Sequence, residues 1–367
     1  MNVRRSAHVV LTWHPSRSSG DATAFALLTG ERVPLTRARV ADLLEIPENE
    51  FVARDEEWID ELCRTGVLVS DASDRRSTEL RRRDEAIPEL GWDFESAYFH
   101  LAKRLEGFHG SLAPPAERTT EALHDLPNSL GAVELPLSDR DSDFYRLLLR
   151  RRTQRGFHAQ GELALEQLSV LLRYVWGAHA YGRDGRGAPL LAKTSPSGGS
   201  LHPIEVYPLL SGVLGIDPGL YHYSVRAHAL ELMERIEPAA VHELADHFMA
   251  GQPWFAEAQA FFLLTARFER SYSKYREDAG AYQSLLLEAG HFSQTFYLVS
   301  TELRLGPFVT SVINHADIDN RLGLDPYREG ALAICGCGLP ADSSPIVHDK
   351  PFVPRETKLR PDRASSG

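Results

Sequence analysis

Hydrophobic positions along the first 70 residues change period several times, and each change marks a new element. Val9, Leu11 and Trp13 alternate as in a strand, and the run at 24–28 predicts a short helix. Thr36 stands where it can cap a helix carrying Val40, Leu43 and Leu44. Trp58, Ile59, Leu62 and Cys63 recur at helical spacing until Gly66 ends the run. Val67, Leu68 and Val69 then read as a strand. Strand, helices and a closing strand or wing make a winged-helix pattern over residues 1–70.

Residues 71–85 are rich in both signs of charge, which predicts a solvated linker or exposed helix rather than a binding patch. Residues 92–105 (WDFESAYFHLAKRL) form an amphipathic pattern with aromatics on one side, and Pro114, Pro115 and Pro127 then interrupt the chain. We divide the chain into a small unit at 1–70, a charged linker and helix at 71–136, and a larger unit at 137–367.

In the larger unit strands and helices interleave, which gives an α+β or α/β class. Ser138 or Asp139 can cap a helix through Phe144, Leu147 and Leu148, ending in RRRTQRGF. Leu165, Leu168, Leu172, Val175 and Trp176 mark a helix stopped at Gly177. Residues 204–213 read as a strand, GLYHYSVRAHALELME as a hairpin around Arg226, and 260–268 as a buried strand. The longest helix carries Tyr282, Leu285, Leu286, Ala289, Phe296, Val299 and Leu303, and 331–337 gives a last strand.

Composition adds exclusions. Of 367 residues, 43% are hydrophobic and 25% charged, an ordinary globular mixture with room for a core in each unit. The net charge of −11 argues against general nucleic-acid binding. No apolar run approaches the ~20 residues of a membrane span, and the opening MNVRRSAHVVLTWHP is too polar for a signal peptide. Cys63, Cys335 and Cys337 make neither a disulfide framework nor a four-ligand metal site. The last two share one face of a strand that reads as buried, and a reducing cytoplasm fits best.

Four segments carry candidate chemistry. Arg150 to Phe157 (RRRTQRGF) gathers four guanidinium forks and a threonine, a set suited to phosphate, although a solvated basic turn reads equally well. Thr194 to Pro203 (TSPSGGSLHP) has adjacent glycines through which backbone can approach a flat ligand, or simply a tight turn before a strand. Lys274 and Tyr275 can act as a proton-transfer pair, or be a surface lysine beside a half-buried tyrosine. Leu305 to Ser311 (LGPFVTS) follows the longest helix and either faces a ligand or merely ends that helix.

In this order the four segments resemble the nitroreductase superfamily, and within it the SagB-type azoline dehydrogenases that mature ribosomally made peptides. RRTQRGF is similar to that family's Arg-x-Ser-x-Arg-x-Phe turn, with Thr153 in place of Ser. SPSGGSLHPIEVY is similar to its Pro-Ser-x-Gly-x-x-His-Pro-x-Glu-x-Tyr segment, and GLYHY and LLLEAGHFSQTFYLVSTELRLG resemble the hairpin and central helix that follow. The resemblance covers residues 139–340. It implies a central mixed sheet flanked by helices, a homodimer, and FMN bound at the dimer interface.

Carried over, the resemblance assigns Arg151, Arg152, Thr153 and Arg155 to the flavin phosphate and ribityl chain. It assigns Pro196, Ser197, Gly198 and Gly199 to the isoalloxazine, and the backbone of Gly306, Pro307, Phe308 and Val309 to its other side. Lys274 and Tyr275 occupy the region of the family's catalytic Lys-Tyr pair, although the REDAGAYQS that follows lacks the arginines usual there. Lys350 and Arg355 are candidates for a further phosphate contact.

The implied activity is FMN-dependent oxidation within a peptide, such as azoline to azole. The N-terminal unit would then recognise a precursor peptide, and other peptide-modifying enzymes are possible partners. The alternatives are an NAD(P)H-dependent nitro- or quinone reductase and a catalytically silent flavin-binding peptide scaffold.

Overall fold

Strand Ala260–Arg267 explains the architecture, because all of its residues but the last are buried. Phe262 and Leu264 enter one hydrophobic core and Phe261 and Leu263 a second, as the two-residue period of a strand requires when both faces are covered. The computed structural model describes residues 1–13, 21–105, 130–136, 140–185, 187, 189–276, 278 and 280–341. Around this strand runs a six-stranded sheet in the order Ala229–Arg235, Gly219–Ser224, Ile204–Leu210, Ala260–Arg267, Glu329–Gly338, Gly306–Thr310.

All neighbouring pairs in that sheet are antiparallel. Among the described residues the sole parallel pairing is the isolated bridge Leu163–Val213, so the mixed character of the sheet is confined to that margin. Helices Leu165–Val175 and Gly280–Glu302 cover one face through Leu168, Leu172, Leu285, Phe292 and Phe296. Helices Pro238–Phe248 and His315–Leu322 cover the other through Val241, Phe248 and Ile318. Cys335 and Cys337 are free, buried and on one face of their strand, and burial pushes both thiols up. No helix among the described residues is long and apolar enough to cross a membrane.

The N-terminal unit is richer in strands than its sequence suggests. Asn2–Arg5 lies between Val52–Ala53 and Leu68–Ser70 in one three-stranded sheet, and Val9–Trp13, Ala22–Ala26 and Glu31–Leu35 form another. The short helix expected at 24–28 is therefore wrong. Ala22, Ala24 and Ala26 point alternately inward, and the turn at Gly30 (φ 79°) folds the strand back on Glu31–Leu35, so pairing overrides the helix preference of alanine. Both expected helices are present. Thr36 caps Arg37–Leu44 by accepting from Arg39 N at 3.4 Å, and Gly66 ends Glu57–Thr65 in the left-handed conformation (φ 80°).

The charged run is a helix, Arg75–Glu89, capped by Asp74 and joined to both units. Its Asp84 is 3% exposed, and it accepts from Arg4 and from Ser6 Oγ. Arg82 reaches Asp325 at 3.1 Å, and Trp92 Nε1 donates to the Tyr327 carbonyl at 3.1 Å. In helix Phe94–Leu105 the inner face is Ala97, His100, Leu101 and Arg104, whereas Phe94, Tyr98 and Phe99 face outward. Ser142, not Ser138 or Asp139, caps helix Asp143–Arg150. The latter two, Pro114, Pro115, Pro127, Lys350 and Arg355 lie outside the described residues.

The histidines of this junction predict a loss of stability in acid. His100 Nε2 donates to the Pro326 carbonyl at 2.6 Å, leaving Nδ1 to accept from Arg104 at 3.0 Å. Burial and then the Arg104 charge hold His100 well below the ordinary histidine range, and the same two causes push His315 down to about 3. The unfolded chain therefore binds protons first as the pH falls below ~6.5. Stability is fully present above that pH and drains away toward the folded values, by up to about 1.4 kcal/mol per pH unit for each histidine. Melting temperatures between pH 7 and 5 should fall in the wild type and fall less steeply in His100→Asn; parallel slopes would exclude His100 as a source.

Candidate active site

The arginine turn leaves helix Asp143–Arg150 and is stitched to the edge strand of the sheet. Gln154 N donates to the Pro307 carbonyl at 2.8 Å, and Gln154 Nε2 donates to the Gly156 and Ala341 carbonyls at 3.0 and 2.9 Å. A Cβ on Gly306 would lie 2.5 Å from Gln154 Cγ, so glycine lets strand and turn meet. Arg150, Arg151, Arg152 and Arg304 then line a cavity of about 710 Å³ with Gly306 and Pro307.

Arg150 pairs with Glu302 at 3.3 Å. Arg151, Arg152 and Arg155 have no carboxylate partner among the described residues, and Arg151 lies over the Tyr297 ring at 5.3 Å. Thr153 Oγ1 is hydrogen-bonded to the Tyr297 hydroxyl at 2.8 Å. Phe308 differs from its neighbours in the motif. Its ring stacks on Phe255 at 4.0 Å inside the second core, so only its backbone is available, on a strand whose outer edge pairs with no other strand among the described residues.

The Ser195–Gly199 loop is moored to the central helix, Gly280–Glu302. Ser195 Oγ bonds Thr295 Oγ1 at 2.7 Å, and His291 Nδ1 donates to the Pro196 carbonyl at 3.1 Å. Ser197 Oγ donates to Glu288, and Gly198 is pressed against Ser284 Oγ so closely that a Cβ has no room. Positions 284, 288, 291 and 295 recur at the spacing of one helix face. Glu288, His291 and Thr295 belong to the motif LLLEAGHFSQTF but were given no role from the sequence, and their signal is a polar stripe on an otherwise apolar helix.

Ser197 Oγ also accepts from His202 N at 2.9 Å, closing the loop on itself, while Gly199, Ser200 and His202 take left-handed conformations (φ 62°, 56° and 45°). Beneath it Glu288 is 2% exposed, and burial raises its carboxyl above the usual range. Its Oε1 faces His202 Nδ1 at 3.8 Å, and neither atom has a hydrogen-bond partner. Burial and the Lys193 charge hold His202 down to about 4.

Lys274 and Tyr275 follow helix Phe268–Tyr272, whose Phe268 and Tyr272 anchor it in the core. Lys274 is exposed and Tyr275 half-buried. Both meet the loop at one point. A Cβ on Gly199 would lie 2.5 Å from Lys274 Nζ and 3.0 Å from the Tyr275 hydroxyl, and the ammonium sits 5.4 Å from the Tyr275 ring centre. The fold thus joins the Gly-Gly loop to the Lys-Tyr pair, and the arginine turn to Gly306 and Pro307.

The two halves are held from different faces of the central helix. Tyr297, which holds the turn, lies beyond Thr295 by two positions, about 200° round the helix. Between Ser284 and Tyr297 the helix also advances about 20 Å.

The chain is 31% identical over 174 residues to the trifolitoxin-processing protein TfxB of Rhizobium leguminosarum bv. trifolii, a match spanning 47% of this chain and 46% of TfxB. Its fold is shared with a chain of the E. coli microcin synthetase McbBCD complex with truncated pro-MccB17 bound, at a TM-score of 0.54 and 18% identity over 70% of this chain and 98% of that one. The model of the nitroreductase family matches residues 148–339, a stretch containing both halves of the site. With more than half of its length matched, the chain belongs to the nitroreductase family.

Proposed function

We propose that this chain is an FMN-dependent dehydrogenase that oxidises a residue or heterocycle within a ribosomally made peptide, such as an azoline to an azole. The observation that carries the proposal is the meeting of Lys274 and Tyr275 with Gly199. The name of TfxB, a processing protein for trifolitoxin, supports peptide substrates. The residues present fit FMN. Three guanidiniums without carboxylate partners in one turn suit its phosphate, and adjacent glycines let backbone approach a flat ring. Arg151, Arg152, Thr153 and Arg155 would hold the phosphate end, and Pro196, Ser197, Gly198 and Gly199, with the Gly306–Thr310 backbone, the ring.

Bound there, FMN supplies the acceptor for two electrons. The chain supplies the base. Acting from its deprotonated form, which the positive charge of the neighbouring Lys274 favours, Tyr275 takes a proton from the substrate's carbon and becomes the neutral phenol. Anaerobic mixing of the flavin-loaded protein with an azoline peptide should bleach the flavin's visible absorbance without NAD(P)H. Bleaching by NAD(P)H alone would instead establish a nitro- or quinone reductase.

The opposite placement of loop and turn on one helix supports a homodimer, in which a single flavin takes the turn of one copy and the loop of the other. Apolar side chains are exposed where a second copy can cover them: Phe144 (59%) and Leu149 (87%) on helix Asp143–Arg150, Leu287 (58%) on the central helix. Light scattering should give a dimer, and Leu149→Asp should yield monomer with little FMN. A wild-type monomer that binds FMN tightly would end this part of the proposal.

A further inference from the structure

A cavity of about 450 Å³ borders the Ser197–His202 loop at His202 and has no part in the proton transfer or flavin binding proposed above. Its walls are strand Pro189–Lys193, the start of strand Ile204–Leu210, the Gly219–Ser224 strand with the turn that follows, and the end of strand Ala260–Arg267. Four cations line it, Lys193, Arg226, Arg267 and Arg270, against the single carboxylate of Glu205. That carboxylate is committed, accepting from Arg267 Nε at 2.8 Å and lying 3.6 Å from His222 Nε2. His222 itself is held charged, pushed up to about 9 by Glu205 and Glu231, so it adds to the positive side.

Two of the cations have little to balance them. Arg270 donates Nε to the Leu201 carbonyl at 2.7 Å, and its other guanidinium nitrogens have no acceptor among the described residues. The Lys193 ammonium has no hydrogen bond or ion pair among the described residues, only the Phe292 ring at 5.6 Å. Burial depresses the Lys193 ammonium, and the nearby Arg267 and Arg270 charges add to the effect against Glu205 and Glu288. Burial and Arg267 likewise depress Arg270. Like charges withdrawn from water into one concavity are costly alone, and they focus a strong positive potential that an anion relieves.

We infer that this cavity binds an oxyanion of the ligand, held by Lys193 and Arg270 with Arg226 and Arg267 at the rim. Its shape and charge suit a carboxylate or a phosphate, the guanidinium fork of Arg270 and the point charge of Lys193 serving either. The same loop meets Lys274 and Tyr275 at Gly199 and this cavity at His202, so an anion seated here tethers a substrate beside the proposed base. That last step rests on the function proposed above; oxyanion binding does not.

The probe is inorganic phosphate, titrated calorimetrically at constant ionic strength into the full chain saturated with FMN. The wild type should bind it saturably, Lys193→Met at least ~10-fold more weakly, and Lys193→Arg nearly as well as wild type. Arg151→Ala, which alters the other anionic locus, should leave this affinity unchanged, and that separates failure here from failure of the flavin proposal. Should Lys193→Met not fold, the exposed rim variant Arg226→Gln should still weaken phosphate several-fold. Unaltered binding in the Lys193 and Arg226 variants, or loss in Arg151→Ala alone, overturns the inference. Competition then identifies the source of the oxyanion: displacement by an acidic peptide but not its amidated form indicates a peptide carboxylate. Displacement by NADPH but not NADH indicates a nucleotide phosphate.

Discussion

Tyr275→Phe is expected to slow peptide oxidation by ~10²–10⁴-fold, the range for a lost general acid or base, while flavin occupancy stays at the wild-type level. The substitution keeps the half-buried ring and removes only the hydroxyl that faces Gly199. Lys274→Ala should lower the rate as well, because it removes the positive charge beside the ring that accepts the proton. The two effects should not add. A residue that acts through its neighbour loses most of its role once the neighbour is gone. Rapid-mixing measurement of the reductive step separates this loss from substrate binding, and normal rates in both single variants would make the pair structural.

The second large effect is on flavin affinity. Arg151→Ala removes a guanidinium that has no carboxylate partner, and it should weaken FMN by about 1.5–3 kcal/mol, roughly ten- to 150-fold. Arg150→Ala is the control. Its charge is spent on Glu302 at the protein surface, so the same loss of one positive charge one residue earlier should change little. Fluorescence titration of apoprotein with FMN reads both. Equal affinities in wild type and Arg151→Ala would locate the phosphate elsewhere.

Both predictions use residues visible in the sequence, and the physical reason is that their motifs are local. The glycines of the loop, the arginines of the turn and the apolar period of the central helix are each legible within a dozen positions. Strand Ala260–Arg267 was equally legible, since burial of both faces leaves a continuous apolar run. What was hidden depends on distant partners. The strand Ala22–Ala26 is mostly alanine, which favours helix in isolation, and becomes a strand only through its pairing with Val9–Trp13 and Glu31–Leu35. Asp84 sits in a run of charges like any solvated residue, yet it is buried against Arg4 and Ser6, nearly 80 positions away. Lys193 gave no local sign at all, because its isolation from acceptors is made by four separate elements.

Asp84 also alters how the N-terminal unit can be tested as the proposed recognition element for a precursor peptide. Phe25, Leu27 and Leu28 share a core with Leu80, Ile87 and Trp92. Removing residues 1–70 would uncover that core and strip Asp84 of the partners that bury it, so loss of activity would report unfolding. Exposed side chains of this unit, such as Trp13 and Leu44, offer substitutions that leave the junction whole.

The central helix has a consequence for how related chains can differ in length. Loop and turn hang from opposite sides of one rigid rod, at Ser284 to Thr295 and at Tyr297. One residue inserted between Glu288 and Tyr297 would swing every later contact by about 100° and carry Tyr297 away from Thr153. The spacing from Glu288 to Tyr297 should therefore tolerate neither gain nor loss, whereas the exposed tip of the Ala178–Lys193 hairpin can lengthen freely. Among relatives, gaps should accumulate at that tip and stop abruptly at the rod.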